Sequence, residues 1–203
     1  MKKADPVHRV TIIPRSIGAL GATLQLPTDD RYLVTRQELE DRICVMLGGR
    51  VAEELWCRDV STGAQNDLER ATEMARQMVC RLGMSERLGP MTFGRSPTAR
   101  FLDAPVPLGE ERNFSDETAR LIDAEVRRVI DEQHARARDT LRRRRRALAA
   151  IAERLVIDET LDRPEIDRIV AAAERLEGPC EPGEDPGNAA REGARLQAAQ
   201  VHP

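Results

Sequence analysis

Apolar residues recur at intervals of three and four positions through much of the chain, and this spacing limits it to a largely helical fold. The first such stripe contains six residues: Leu39, Ile43, Met46, Leu47, Val51 and Leu55. Residues with this spacing share one face of an α-helix, where a core can cover them. Only 2% of the residues are aromatic, so the core must consist mainly of aliphatic side chains. The composition as a whole is rich in Ala, Glu, Arg and Leu, which favours helices over sheets. The sequence predicts a mainly α fold.

Local signals predict where these helices begin and end. Thr35 and Glu38 form a capping box at the start of the first helix. Gly48 and Gly49 interrupt that helix and predict that another backbone packs closely against it. The second helix has six apolar residues on one face and ends at Gly83: Leu68, Ala71, Ala75, Met78, Val79 and Leu82. A long third helix opens at Ser115, a fourth helical stretch follows it, and a short last helix begins at Asp162 and Pro164. Glutamates and arginines are predicted to cover the outer faces of the long helix.

The remaining segments are predicted to be strands, a loop and a tail. One strand runs through Val10 and Ile12 to Pro14 and a second from Ala22 to Leu26, which predicts a small N-terminal β hairpin or a pair of edge strands. The proline- and glycine-rich segment 85–113 is predicted to be a mobile loop. Residues 4–176 are predicted to form one domain, and residues 177–203, which have little apolar content, a disordered tail.

The charge pattern argues against nucleic acid as a partner. The formal net charge of −3 gives no general attraction to polyanions. The exception is Arg142–Arg146, five consecutive arginines that wrap around a helix instead of forming one face. No aromatic residue accompanies them in sequence for base stacking. We therefore predict a solvated connector between two helices.

The cysteines indicate a reduced, cytosolic setting. Cys44, Cys57, Cys80 and Cys180 are widely separated and form no C-x-x-C pair. Three of them fall on or beside predicted helices and are interpreted as small apolar residues. No apolar run has the length of a membrane span, and no signal peptide opens the sequence.

Seven segments, taken in order, resemble the peptidase domain of the FtsH-type AAA proteases over residues 4–172. They are DPVHRVTIIPR (5–15), LGATLQLP (20–27), TRQELEDRICVMLGGRVAEEL (35–55), VSTGAQNDLERATEMARQMV (60–79), GMSERLGPMTFG (83–94), SDETARLIDAEVRRVI (115–130) and LDRPEIDRIV (161–170). The resemblance implies a helical metallopeptidase domain in a homo-hexamer, below an ATPase module that uses ATP to deliver unfolded or membrane-protein substrates. It also implies an N-terminal anchor outside this chain, at the cytoplasmic face of the inner membrane.

The zinc chemistry of that family depends on an H-E-x-x-H helix, in which two histidines bind the metal and the glutamate acts as general base. The three histidines of this sequence, His8, His134 and His202, are not in such a motif. His8 is predicted to be structural, His134 to be solvated on its helix, and His202 to lie in the tail. The resemblance implies a chain cut off just after the motif. Alone, it is expected to be soluble, to bind no zinc tightly and to cleave no protein.

The resemblance assigns roles to three parts of the sequence. Asp67 matches the third zinc ligand of the family; from the residues alone, the alternative is an acid that simply favours a helix N-terminus. Glu53 matches a residue close to the metal, where it would accept a hydrogen bond from a zinc-bound imidazole; a solvated helix face is the alternative. Ala22, Thr23, Leu24 and Gln25 match an edge strand that binds extended peptides, and a covered structural strand is the alternative.

A second hypothesis is a non-catalytic helical assembly module that keeps the hexamer-forming surface of such a protease. The same fold would serve both functions, so the resemblance does not separate them. A fragment, a misplaced start and a genuine remnant of a protease all remain possible explanations of the missing motif.

Overall fold

The computed structural model of the protein describes residues 6–14, 21–25, 33–57, 60–94 and 113–176. The strands and helices within these ranges are β1 (Val7–Thr11), β2 (Ala22–Gln25), α1 (Arg36–Met46), α2 (Gly48–Trp56), α3 (Gln65–Cys80), α4 (Asp116–Arg143), α5 (Arg145–Asp158), β3 (Thr160–Asp162) and α6 (Arg163–Leu176). A single 3-10 turn, Thr62–Ala64, precedes α3. The predicted mainly α fold with a small β part is confirmed. The predicted tail, 177–203, lies outside the described residues.

The predicted first helix is two helices that share one buried stripe. The capping box is present: the Thr35 N–H donates to Glu38 Oε2 at 2.7 Å, and the Glu38 N–H donates to Thr35 Oγ1 at 3.4 Å. α1 ends at Met46, Leu47 forms the turn, and α2 begins at Gly48. Leu47 is nevertheless only 1% exposed, so the break keeps the apolar stripe in the core.

The prediction of close backbone packing at Gly48 and Gly49 is wrong. A Cβ atom added at either position would have no other atom within 4 Å, apart from its chain neighbours and its own helix. The close approach lies instead at Gly21, where an added Cβ would be 2.7 Å from the carbonyl oxygen of Thr11. Gly21 therefore allows the chain just before β2 to lie close against β1.

Replacing Gly48 and Gly49 with alanine is therefore expected to stabilise the chain, by about 0.5 kcal/mol for each substitution. The gain comes from restricting the unfolded backbone, while the folded helix has room for both methyl groups. Gly21→Ala is the matched control and is expected to cost at least about 1 kcal/mol, because its methyl group would collide with β1. Chemical unfolding of the three variants measures the difference, and destabilisation by Gly48→Ala would contradict the open space seen here.

Helices α1, α3 and α4 surround the main core. Its most buried residues are Ile43, Leu47, Ala71, Ala75, Met78, Val79, Ile122, Val126 and Val129. Two residues of the stripe predicted for α3 lie at the surface instead, Leu68 at 37% exposure and Leu82 at 52%. The buried length of α3 extends only from Ala71 to Val79, and both exposed leucines lie beyond it.

The first part of the segment predicted as a mobile loop packs against this core. Leu88 and Phe93 contact the buried cluster, and Ser85 is only 4% exposed. The Ser85 hydroxyl donates to the fully buried Glu125 carboxylate at 2.8 Å. The mobile-loop prediction is wrong for residues 85–94, and residues 95–112 lie outside the described ranges. The prediction that the glutamates of α4 face outward is wrong for Glu125.

The N-terminal hairpin is one side of a three-stranded antiparallel sheet with the order β2-β1-β3. The sequence analysis missed β3, which pairs with β1 through Arg9 opposite Asp162 and Thr11 opposite Thr160. The side chain of Asp162, predicted as a helix cap, accepts a hydrogen bond from Arg9 Nε at 2.8 Å. The sheet therefore joins the two ends of the described chain.

The described cysteines differ in environment. Cys44 is buried, and burial raises the pKa of its thiol to about 11. Cys57 lies just after α2, beside a helix as predicted, but it is exposed and is not part of the core. Among the residues with described positions, no helix combines the length and apolar character needed to cross a bilayer.

Candidate functional site

The predicted metal ligand Asp67 lies in the first turn of α3. The preceding 3-10 turn is capped by Ser61, whose Oγ accepts a hydrogen bond from the Gly63 N–H at 3.1 Å. The Asp67 side chain is half-buried, and its carboxylate has no hydrogen-bond or ion-pair partner among the described residues. A carboxylate at a helix N-terminus is favoured by the helix dipole, and this one is also uncommitted to any described partner. The geometry agrees with both interpretations given above.

Glu53 is held by the loop that leads to α3. Its carboxylate accepts hydrogen bonds from the Ser61 N–H at 3.0 Å and from the Ser61 hydroxyl. The side-chain hydrogen bond, then the backbone one, lowers the pKa of Glu53 below its ordinary value. Glu53 is therefore an ionised acceptor at near-neutral pH and not merely a solvated residue on a helix face.

Ser61 contacts one of the two predicted site residues, and no contact between Ser61 and the other is described. It binds Glu53 of α2 on one side, and six positions later along the chain Asp67 enters α3. The sequence analysis placed Ser61 in a loop but gave it no role. The available signal was a serine two residues before Gly63, the spacing at which a hydroxyl caps a tight turn.

Ser61→Ala is expected to raise the pKa of Glu53 toward the ordinary glutamate value of about 4.3, because the hydroxyl donor that stabilises the ionised form is lost. A carbon-13 NMR titration of the side-chain carboxyl groups measures this change. Ser115→Ala, which removes the cap of α4, is the matched control and is expected to leave the Glu53 titration unchanged. An unaltered Glu53 pKa in Ser61→Ala would show that the contact does not persist in solution.

His134 was predicted to be solvated, but its side chain contacts Glu54. The His134 Nε2 atom lies 3.1 Å from Glu54 Oε2, and that oxygen also accepts from Arg138 at 2.8 Å. Arg50 contacts the other carboxylate oxygen at 3.2 Å. Burial acts to raise the pKa of Glu54, but the hydrogen bonds from Arg138 and His134 outweigh it and lower the pKa. His134 therefore links α4 to α2 through its contact with the Glu54 carboxylate.

The described residues do not by themselves fit a zinc site. Within the ranges with described positions, no group of three His, Cys, Asp or Glu side chains is arranged to hold a metal ion. His8 is an exposed residue of β1, and His134 is bound to Glu54. Asp67 could supply one carboxylate ligand, but a protein zinc site needs at least two more ligands.

The predicted substrate strand is at an outer position of the sheet. β2 pairs with β1 on one side, and no described strand pairs with its other side. Ala22, Thr23 and Leu24 are exposed, with Leu24 at 48%. An open edge of this kind can accept an extended peptide. The sheet packs on α5 and α6, whereas Glu53 and Asp67 belong to the body formed by α1 to α4.

Comparison with known proteins places these residues in a family. The family model described as "Peptidase family M41" matches residues 1–169. The chain is 52% identical over 167 residues to the ATP-dependent zinc metalloprotease FtsH of Syntrophobacter fumaroxidans, which is 82% of this chain and 26% of that protein. The FtsH of Burkholderia pseudomallei is 49% identical over 201 residues, 98% of this chain and 29% of that protein.

A third relative, the ATP-dependent zinc metalloprotease FtsH of Thermotoga maritima, is 47% identical over 167 residues, which is 82% of this chain and 27% of that protein. The chain thus spans between a quarter and a third of the length of the relatives it matches. The match of the family model extends over most of the chain and includes both Glu53 and Asp67. The chain therefore belongs to peptidase family M41.

Proposed function

We propose that this chain forms part of the peptidase domain of an ATP-dependent zinc metalloprotease that degrades unfolded and membrane proteins. The observation that carries the proposal is the identity of about half of its residues with three proteins of that name. The domain would comprise residues 4–176, and residues 177–203 would be a tail outside it. The complete enzyme would be a homo-hexamer with an ATPase module that uses ATP and an anchor at the cytoplasmic face of the inner membrane.

In this proposal, Asp67 supplies one zinc ligand. Its position in the first turn of α3 and the lack of a described partner for its carboxylate support that role. The two imidazole ligands and the general base would have to come from residues outside these 203, because the sequence contains no H-E-x-x-H motif. Glu53 would orient one of those imidazoles, because an ionised carboxylate is the usual acceptor for the second N–H of a metal-bound histidine.

The outer edge of β2 would bind substrate through its main chain. Backbone hydrogen bonds are indifferent to side-chain identity, which suits an enzyme acting on many unfolded sequences. Exposure of Ala22, Thr23 and Leu24 supports this role. Nucleic acid is not proposed as a partner.

The proposal is tested with two proteins. The purified 203-residue chain is expected to hold less than about 0.1 zinc per chain after dialysis, because a single carboxylate is too few ligands for tight binding. A chimera in which this chain replaces the 201-residue matched segment of the Burkholderia pseudomallei protein is expected to bind zinc and to degrade casein with ATP. Metal analysis and release of labelled casein fragments are the measurements.

Two results would contradict this proposal. Stoichiometric zinc in the isolated chain would mean that it contains a complete metal site. A chimera that assembles into hexamers with intact ATPase activity but no proteolysis would favour the assembly-module hypothesis instead. Mass photometry and ATP hydrolysis distinguish that outcome from simple misfolding.

A further inference from the structure

The turn between α4 and α5 presents a concentrated positive charge that the proposed protease function does not use. Arg142 and Arg143 end α4, Arg144 forms the turn, and Arg145 and Arg146 begin α5. All five side chains are exposed. We call Arg142–Arg146 the arginine corner. It confirms the predicted connector between two helices, and its charge density requires a further explanation.

The charges of the arginine corner are incompletely balanced by the described residues. Arg144 contacts Glu174 of α6 at 3.0 Å, whereas Arg142 and Arg143 have no hydrogen-bond or ion-pair partner within the described ranges. Asp139, one turn earlier on α4, is exposed and forms no described ion pair with them.

The contact between Arg144 and Glu174 also fixes where the following segment starts. Glu174 lies two residues before the end of α6 at Leu176, so the chain leaves the described part of the molecule beside the arginine corner. The next nine residues, 177–185, contain four acidic residues and no basic one: Glu177, Glu181, Glu184 and Asp185. We name residues 177–185 the acidic segment.

We propose that the acidic segment binds the arginine corner of its own chain. Charge complementarity between the four carboxylates and the guanidinium groups of Arg142 and Arg143, which have no described partner, supports this partner, and so does the starting point at Glu174. Reach is sufficient, since the four residues from Leu176 to Cys180 can span up to about 14 Å. Each exposed ion pair is weak, but the tether supplies a high effective concentration that a separate acidic molecule lacks.

The chain contains its own attachment site for a probe of this contact, Cys180, in the middle of the acidic segment. A nitroxide is attached there in the full-length chain after Cys57→Ser and Cys80→Ala, while the buried Cys44 stays unreactive. The readout is the paramagnetic relaxation of the backbone amides of residues 142–146 by NMR. This relaxation is expected to fall at least threefold in 1 M salt, where charges are screened, and in the tail variant E177Q/E181Q/E184Q/D185N.

Arg142→Gln with Arg143→Gln is expected to reduce the relaxation of the same amides. Arg120→Gln with Arg127→Gln, two exposed arginines elsewhere on α4, should leave it unchanged. The four substituted arginines are all exposed, so both double variants are expected to fold normally. The amide spectrum of each variant checks this. A segment that is tethered but not bound would give the same relaxation in every sample, and that result would overturn the proposal. Unchanged relaxation together with salt-sensitive retention of the chain on heparin through Arg142 and Arg143 would overturn it in favour of an external polyanion.

Discussion

Replacing Asp67 with asparagine in the active chimera is expected to reduce casein degradation by more than about 100-fold. The neutral amide keeps the size of the side chain but removes the anionic oxygen that a divalent cation prefers. Loss of residues that merely support a metal ligand typically costs 10- to 100-fold in affinity or activity, and loss of a ligand should exceed that range. Glu53→Gln keeps the shape of the side chain but not its charge, and it is expected to reduce casein degradation by about 10- to 100-fold.

Zinc content provides the second readout for these variants. Asp67→Asn is expected to lower the zinc bound per subunit, whereas hexamer assembly and ATP hydrolysis stay normal, because Asp67 has no described partner whose loss would disturb the fold. Glu69→Gln is the matched control: Glu69 is an exposed acid on the same helix, and within the described ranges its carboxylate accepts a hydrogen bond only from Gln65, at 3.0 Å. Full activity and zinc content in Asp67→Asn would refute its role as a ligand and leave the helix-dipole interpretation.

Replacing Glu125 with alanine is expected to destabilise the chain by about 3 kcal/mol. Glu125 is completely buried, and its carboxylate accepts from Ser85 at 2.8 Å and from Arg128 at 3.1 and 3.2 Å. Truncation would leave the Ser85 hydroxyl buried without a partner and open a cavity in the core. Removing one partner of a buried ion pair typically costs about 3–5 kcal/mol of stability. We expect the lower value here, because the Arg128 side chain is 34% exposed and can be solvated once Glu125 is lost.

Glu132→Gln is the matched control for Glu125→Ala. Glu132 accepts from the same Arg128 at 2.7 Å, but its side chain is 52% exposed. An exposed pair contributes little, so its loss is expected to change the stability by less than about 1 kcal/mol. Urea unfolding gives both values from the midpoint and slope. Equal effects for the two substitutions would contradict the distinction drawn from burial.

The contribution of Glu125 to the free energy of unfolding should also depend on pH. Burial acts to raise its pKa, but the hydrogen bonds from Arg128 and Ser85 and the charge of Arg87 outweigh burial and lower it. The ionised form is therefore favoured in the folded state. This stabilisation is complete above the unfolded pKa of about 4.3 and is lost as the pH falls through the lower folded value. The stability difference between the wild type and Glu125→Gln should shrink correspondingly below about pH 4.

Asp67 and Glu53 differ in how much of their structural environment could be predicted from local sequence. The motif around Asp67 predicted its position in the first turn of a helix, because helix starts depend on neighbouring residues. Glu53 was assigned by resemblance alone, and its hydrogen bonds to Ser61 were not predicted. That contact depends on how α2 and the loop before α3 meet, which no single helical pattern contains.

Local sequence predicted most of the helical segments, from the capping box at Thr35 to the arginines that end α4, although the first predicted helix is two helices. The motifs in register predicted the family. Local spacing suffices for this because each helix is formed by residues three and four positions apart. Two features could be seen only in the three-dimensional structure: β3 pairs with β1 across 149 positions, at Thr11 and Thr160, and Glu125 of α4 is buried. Both depend on contacts between distant segments, where pairing and burial outweigh the preference of any short stretch of sequence.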